Sequence, residues 1–288
     1  MRISGFTFVR NAIILDYPFI ESILSILPIC DEMIVVVGDC EDATREKIVA
    51  LNEPKIKIID TVWNPELRTG GAILADQTNI AMANITGDWG FYMQADEVIH
   101  EKYLPEIKIA ALKYLNNPEV EGLLFEYRHF YGSYDYIGVS RGWYRHEIRM
   151  VKNLPHIKSF KDAQGFRSEN NRKLKVKAID AEVFHYGWVR SPNAQQKKKE
   201  LMHPLWHTDK WMEENVFGGE KFRYNRREWL SPFVGTHPQV MKKRIEEMNW
   251  KFPYDPSKIT IPLKEKLSFW IEHKTGIRIA EYKNYQKI

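Results

Sequence analysis

Cysteine is nearly absent: Cys30 and Cys40 are the only two in a chain of 288 residues. Two are too few for a disulfide framework, and they fit neither a C-x-x-C nor a Cys/His spacing for zinc, so the expected setting is a reducing one, the cytoplasm. Long apolar runs are missing as well. The longest, Ser22 to Cys30, lies between Glu21 and Asp31, well short of the roughly 20 residues that span a bilayer, and the opening Met1-Arg2-Ile3-Ser4-Gly5-Phe6 has no signal-peptide core. Nor is there an excess of one charge. Lys plus Arg number 42 against 38 Asp plus Glu, a net +4 with the signs mixed, so no basic stripe marks a nucleic-acid binder. Neither G-x-G-x-x-G after the first strand nor G-x-x-x-x-G-K-[ST] anywhere occurs, which excludes the dinucleotide fingerprint and the P-loop.

What is present reads as alternating strand and helix. Ile3 to Val9 is β-prone, and Tyr17 to Leu27 carries Phe19, Ile20, Ile23, Leu24 and Leu27 at helical spacing until Pro28 stops it. Met33 to Val37 is the unbroken apolar run of a strand buried on both faces, followed by a helix over Ala43 to Leu51. Ile56 to Ile59 is a third strand, Ala72 to Asn84 a helix, and Trp89 to Gln94 a fourth strand. Repeated βα units predict an α/β fold with a mainly parallel sheet flanked by helices. Val120 to Phe130, Tyr144 to Val151 and Leu174 to Tyr186 read as added strands. Beyond Pro192 the pattern is helical, with Lys197-Lys198-Lys199 a solvated face, Gln239 to Trp250 an amphipathic helix, and Leu263 to Tyr282 a weakly basic amphipathic segment that packs on the domain or touches anionic lipid.

In an open parallel sheet ligands bind beyond the carboxyl ends of the strands. The residues there are Arg10-Asn11, Gly38 to Thr44, the Trp63 to Gly71 loop, and Gln94-Ala95-Asp96-Glu97. Polar and acidic groups thus converge on one edge. Carboxylates placed so can hold Mg²⁺ or Mn²⁺ while a diphosphate takes the ion's other positions, and Asp96 is the evident ligand.

With a strand ending in Arg10-Asn11, Cys40-Glu41-Asp42-Ala43-Thr44 standing for S-x-D-x-T, Asn79 before Gly87-Asp88, and Gln94-Ala95-Asp96 standing for D-x-D, the chain from Ile3 to Asp96 resembles the glycosyltransferase family 2 group. Gln94 replaces one acid of that pattern and Gly38 another. The resemblance implies a GT-A fold over 1–190, its nucleotide-sugar half about 1–100 and acceptor half about 101–190, with a helical extension over 191–288. It implies that Asp39 and Arg10 lie near base and ribose, Gln77 or Arg68 near the phosphates, and Asp96 on the cation, with Asn11, Asp42 and Gln94 among the donor-binding residues. His185, ending the last predicted strand, is the expected second metal ligand, and Asp162 the expected general base, with Glu97 and Asp135 as competitors. The implied activity is inverting transfer of a sugar from a nucleotide-diphosphate donor to a hydroxyl of a glycan, lipid-linked or other acceptor, assisted by Mn²⁺ or Mg²⁺. A sugar-phosphate nucleotidyltransferase and a catalytically silent sugar- or nucleotide-binding module are the alternatives. Asp42 reads equally as a helix cap, and His203 and His207, interrupted by Pro204, do not read as a site.

Overall fold

The computed structural model describes all residues except 68, 218–221, 226, 227, 277, 279 and 280, and the side chain of 69. Its first hundred residues follow the apolar patterning closely. β1 (Ile3–Val9) is followed by α1 (Phe19–Ile26), β2 (Glu32–Val37), α2 (Thr44–Val49), β3 (Ile56–Asp60), α3 (Ala72–Ala83), β4 (Trp89–Tyr92) and β5 (Glu97–Ile99). Every residue of β2 is buried, as its unbroken Met33 to Val37 run requires. β3, β2, β1 and β4 lie side by side and parallel.

After α4 (Leu104–Tyr114) the chain adds β6 (Gly122–Tyr131), β7 (Tyr136–Gly138), β8 (His146–Lys152), the separate hairpin β9 (Lys158–Phe160) and β10 (Gly165–Arg167), and the long β11 (Lys175–Trp188). β8 inserts antiparallel between β4 and β6, and β11 runs parallel to β6 and antiparallel to β5, so the sheet is mixed around its parallel start. The α/β class is the one expected. One apolar cluster lies on each face: Val35, Phe91 and Leu123 point into one, Ile34, Tyr92 and Phe166 into the other.

The last hundred residues depart from the expected all-helical extension. α5 (Pro192–Met202), α6 (Asp209–Met212), α7 (Lys242–Glu246) and α8 (Leu263–Thr275) are accompanied by β12 (Leu230–Pro232), which pairs with β7, and by β13 (Gln286–Lys287), which pairs parallel with the start of β11. The helix expected over Gln239 to Trp250 shrinks to α7 and one preceding turn. Trp250 donates its Nε1–H to the Gly132 carbonyl at 2.8 Å, and Met248 and Trp250 pack on a third cluster, so tertiary contact overrides the helical period there. α8 is inverted relative to an ordinary surface helix. Its inner side carries Glu272, paired with Arg145 and Arg278, and Ser268, which accepts from Arg141, while Leu263, Leu267 and Trp270 are 83, 57 and 58 % exposed. Among the described residues no helix is long and apolar enough to cross a membrane.

Candidate active site

β1 and β4 are neighbours, but β1 leads away through β2 and β3 while β4 lies on its other side; strand order reverses between them and their carboxyl ends part. A cavity of about 680 Å³ opens at that point, lined from the sheet by Arg10, Gln94 and Asp96 and from later chain by Asp162, His185 and Lys198. Its size suits a small molecule.

Asp96 and His185 meet at the tips of β4 and β11. His185 Nε2 lies 3.7 Å from Asp96 Oδ2. A methyl group added at Gly187 would lie 2.5 Å from that nitrogen and 2.8 Å from that oxygen, so the missing side chain leaves a small cradle between the two donors. The tautomer of His185 follows from its neighbours. His129 Nε2 is 2.7 Å from the Tyr144 carbonyl, which can only accept, so a neutral His129 has a bare Nδ1. That atom lies 2.9 Å from His185 Nδ1, which must therefore donate, leaving the His185 Nε2 lone pair facing Asp96. Burial lowers the pKa of both imidazoles, favouring these neutral forms, with the charge of Asp96 opposing at His185. A carboxylate oxygen, an imidazole lone pair oriented by an outer partner, and a cradle between them fit a divalent cation that takes its remaining ligands from a diphosphate and water. Among the described residues no cluster of three or more His, Cys, Asp or Glu surrounds this point, so the protein supplies the pair alone.

Lys198 completes the group from α5. Its Nζ donates to the Gly187 carbonyl at 3.0 Å and lies 3.5 Å from Asp96 Oδ2. Burial and the charge of Arg190 push its pKa down to about 7, against the pull of Asp96. For Asp96 burial acts upward, yet the charges of Lys198 and Arg190 hold the carboxyl below its usual range. The triple-lysine segment is thus not a uniformly solvated face; Lys198 turns inward.

Asp162 stands on the same cavity, in the loop joining β9 to β10, beside Gly71 and the Trp206 indole. Its flanking residues Lys161 and Ala163 have φ of 55° and 61°, left-handed values that L side chains adopt only when held. Gln94 is one of the holds, donating from Nε2 to the Ala163 carbonyl at 3.2 Å. Arg149 is another, donating to the Gln164 carbonyl at 2.9 Å while its other nitrogens bind Glu97 at 2.7 and 2.8 Å. Glu97 also accepts from Tyr127 Oη and the Gln94 amide, and it is fully buried, so this competitor for the base is structural. Asp135, bound to Ser133, is off the cavity. Asn79 accepts from the Ser159 amide at 2.8 Å and so seats β9 on α3.

The remaining expected residues divide. Arg10 lines the cavity, pairs with Asp39 at 2.8 Å and lies over the Trp63 ring; the indole also crowds Gly38, 2.5 Å from where a Cβ would stand, which accounts for the lost acid there. Asn11, Asp39, Asp42 and Gln77 are corrections: none lines the cavity, Asp39 reaching it only through its pairing with Arg10. Asn11 is buried and accepts from the Glu41 amide. Asp42 takes the Ile14 amide on one oxygen and Thr44 on the other, closing the turn after β1 onto α2. Gln77 is buried and accepts from Thr61. Arg68 lies outside the described residues. The pattern in the sequence missed Lys198, Tyr17 and Trp206, and it also set aside His203 and His207, which line the cavity beside Trp211. A face shared by Gln195, Lys198 and Met202 on α5 was the available signal.

No family model matches the chain, and no curated protein matches it. Solved structures do. S. aureus TarS 1-349 in complex with UDP-GlcNAc is 19 % identical over 46 % of this chain and 36 % of that one, with a TM-score of 0.37. The same fragment in complex with UDP is 16 % identical over 71 % and 64 %, with a TM-score of 0.40. Glucosyl-3-phosphoglycerate synthase from Mycobacterium tuberculosis, in complex with Mn²⁺, uridine diphosphate and phosphoglyceric acid, is 21 % identical over 45 % and 43 %, with a TM-score of 0.30. The chain thus spans between 36 % and 64 % of the length of the TarS structures it matches.

Proposed function

We propose that the protein is a GT-A glycosyltransferase that moves a sugar from a nucleoside-diphosphate donor to an acceptor hydroxyl with inversion. The observation that carries this reading is the placement of Asp96 with His185, and of Asp162, on the walls of one cavity at the point where strand order reverses. Arg10 and Trp63, with Asp39 pairing Arg10 from off the cavity, offer a flat, partly charged surface to the base and ribose. Trp188 and Trp206 line the same cavity, and an indole face complements the C–H face of a pyranose. A divalent cation held by Asp96 and His185 would offset the charge that builds on the departing diphosphate. As the acceptor oxygen bonds to the anomeric carbon and the bond to the diphosphate oxygen breaks, Asp162 takes the hydroxyl proton. Gln94 and Arg149 keep that carboxylate in place, since alignment supplies much of the rate.

The test pairs two substitutions. Asp162→Asn is expected to keep nucleotide binding, measured by calorimetry, and to lose transfer by about 10²-fold or more; Asp96→Ala is expected to lose metal-supported donor binding. Wild-type transfer rates in Asp162→Asn remove the base assignment, and pyrophosphate as product, from a nucleoside triphosphate and a sugar phosphate, would favour the nucleotidyltransferase. For location, the reading is a cytoplasmic protein that meets anionic membrane through α8, whose exposed Leu267 and Trp270 are bordered by Lys264, Lys266 and Lys274.

A further inference from the structure

We infer that Lys198, with Arg190 behind it, forms a phosphate site that grips the donor's diphosphate without any metal ion. This deepens the reading above and rests on it for the identity of the ligand.

Three observations lead here. First, Arg190 is fully buried, yet only its Nη1 is satisfied, by the Leu15 carbonyl at 2.8 Å; Nε and Nη2 have no hydrogen-bond partner among the described residues. A buried guanidinium with idle donors and no paired carboxylate costs free energy, and its retention points to a charged ligand nearby. Second, Lys198 stands between Arg190's surroundings and the cavity. Its Nζ lies 5.0 Å from the Tyr17 ring, and the Arg190 guanidinium lies 4.7 Å from the same ring, so both cations bear on one cavity-lining side chain. Third, the charges do not balance. Arg10 is paired with Asp39, which leaves Lys198 and Lys199 on the wall, with Arg190 behind them, against the two carboxylates Asp96 and Asp162. A wall built for a bare cation would carry net negative charge. This wall is built for an anion, which can arrive with or without its own cation.

The geometry gives Lys198 the direct role. An ammonium has three donors; two are directed at the Gly187 carbonyl and Asp96, and the third is available to a phosphate oxygen. Arg190 acts from behind as fixed positive charge in a site of low dielectric, where it is felt strongly. Because Lys198 lies beside Asp96, it would hold the diphosphate at the same tip of β4 where a metal-borne diphosphate would sit.

The experiment is titration calorimetry with inorganic pyrophosphate and with UDP, in EDTA and then in Mn²⁺, on the whole chain. Wild type is expected to bind both ligands in EDTA. Lys198→Met is expected to weaken that metal-free binding about 10-fold or more, the loss of one charge-assisted hydrogen bond, while Lys198→Arg restores most of it and the exposed neighbour change Lys197→Met has no effect. Far-UV circular dichroism and the melting temperature of each variant report on folding, so a loss of binding in a chain that still melts cooperatively is specific. Two results overturn the inference: no binding of pyrophosphate to wild type in EDTA, or equal metal-free affinities in wild type and Lys198→Met. Pyrophosphate binding that depends on Lys198, in a protein that transfers no sugar from any nucleotide donor, would uphold the phosphate site and sink the glycosyltransferase reading.

Discussion

Gln94 stands where the resembled D-x-D pattern has an acid, and its amide reaches across to the Ala163 carbonyl. Here Gln94 braces the loop that carries Asp162. Gln94→Ala is accordingly expected to lower turnover by about 10-fold through misalignment of Asp162 while leaving nucleotide affinity unchanged; a variant with wild-type turnover in steady-state assays would show that the loop holds itself. A second residue-scale expectation concerns Glu147, buried, bound by Gln164 at 2.8 Å, and raised by its burial from an ordinary carboxyl pKa to about 7. The folded state binds this proton more tightly than the unfolded chain, so Glu147 contributes stability that is full below about pH 4.5 and lost as pH rises through 7. Glu147→Gln should therefore flatten the decline in melting temperature between those limits relative to wild type. At this scale the strand-end rule led to Asp96, whereas His185 and Asp162 came from the family resemblance, and the fold brings the three to one cavity wall. Asn11, Asp42 and Gln77 were not distinguishable from them, since a polar side chain at a strand end latches backbone as readily as it binds substrate.

The β9–β10 hairpin that presents Asp162 belongs to no larger sheet and is held by what flanks it. Asn79 on α3 fastens one side. The residues before and in β13 fasten the other: Arg167 donates to the Asn284 carbonyl at 2.6 Å, and Asn284 and Tyr285 are buried against the loop. Asn79→Ala is expected to lower stability by about 1 kcal/mol in denaturant unfolding. Removing residues 284–288 should cut transfer far more than nucleotide binding, because the nucleotide side of the cavity draws nothing from that segment; equal losses in both assays would place the tail elsewhere in the economy of the fold. The elements of the first hundred residues were readable because each is a simple apolar period. Those of the last hundred were not, because short pieces such as α7 and β12 are fixed by contacts with distant chain, Trp250 on Gly132 and Leu230 opposite Gly138.

For the molecule as a whole, α8 turns Glu272 toward the domain and leaves Leu263, Leu267 and Trp270 exposed among Lys264, Lys266 and Lys274. Leu267→Ser with Trp270→Ser should change stability by no more than about 0.5 kcal/mol, yet abolish sedimentation with vesicles containing anionic lipid. Wild-type chain that fails to sediment with such vesicles removes the membrane assignment. A different global property follows from the turn after β1, which carries the cavity residues Leu15 and Tyr17. Arg190 fastens its Leu15 carbonyl, and Arg244, 228 residues along the chain, fastens Asp16. During synthesis β1, β2 and β3 can find one another early, whereas this turn waits for partners still inside the ribosome. Donor nucleotide would therefore find nothing to hold on a half-made polypeptide, and its capture would report that translation has passed the last of those arginines.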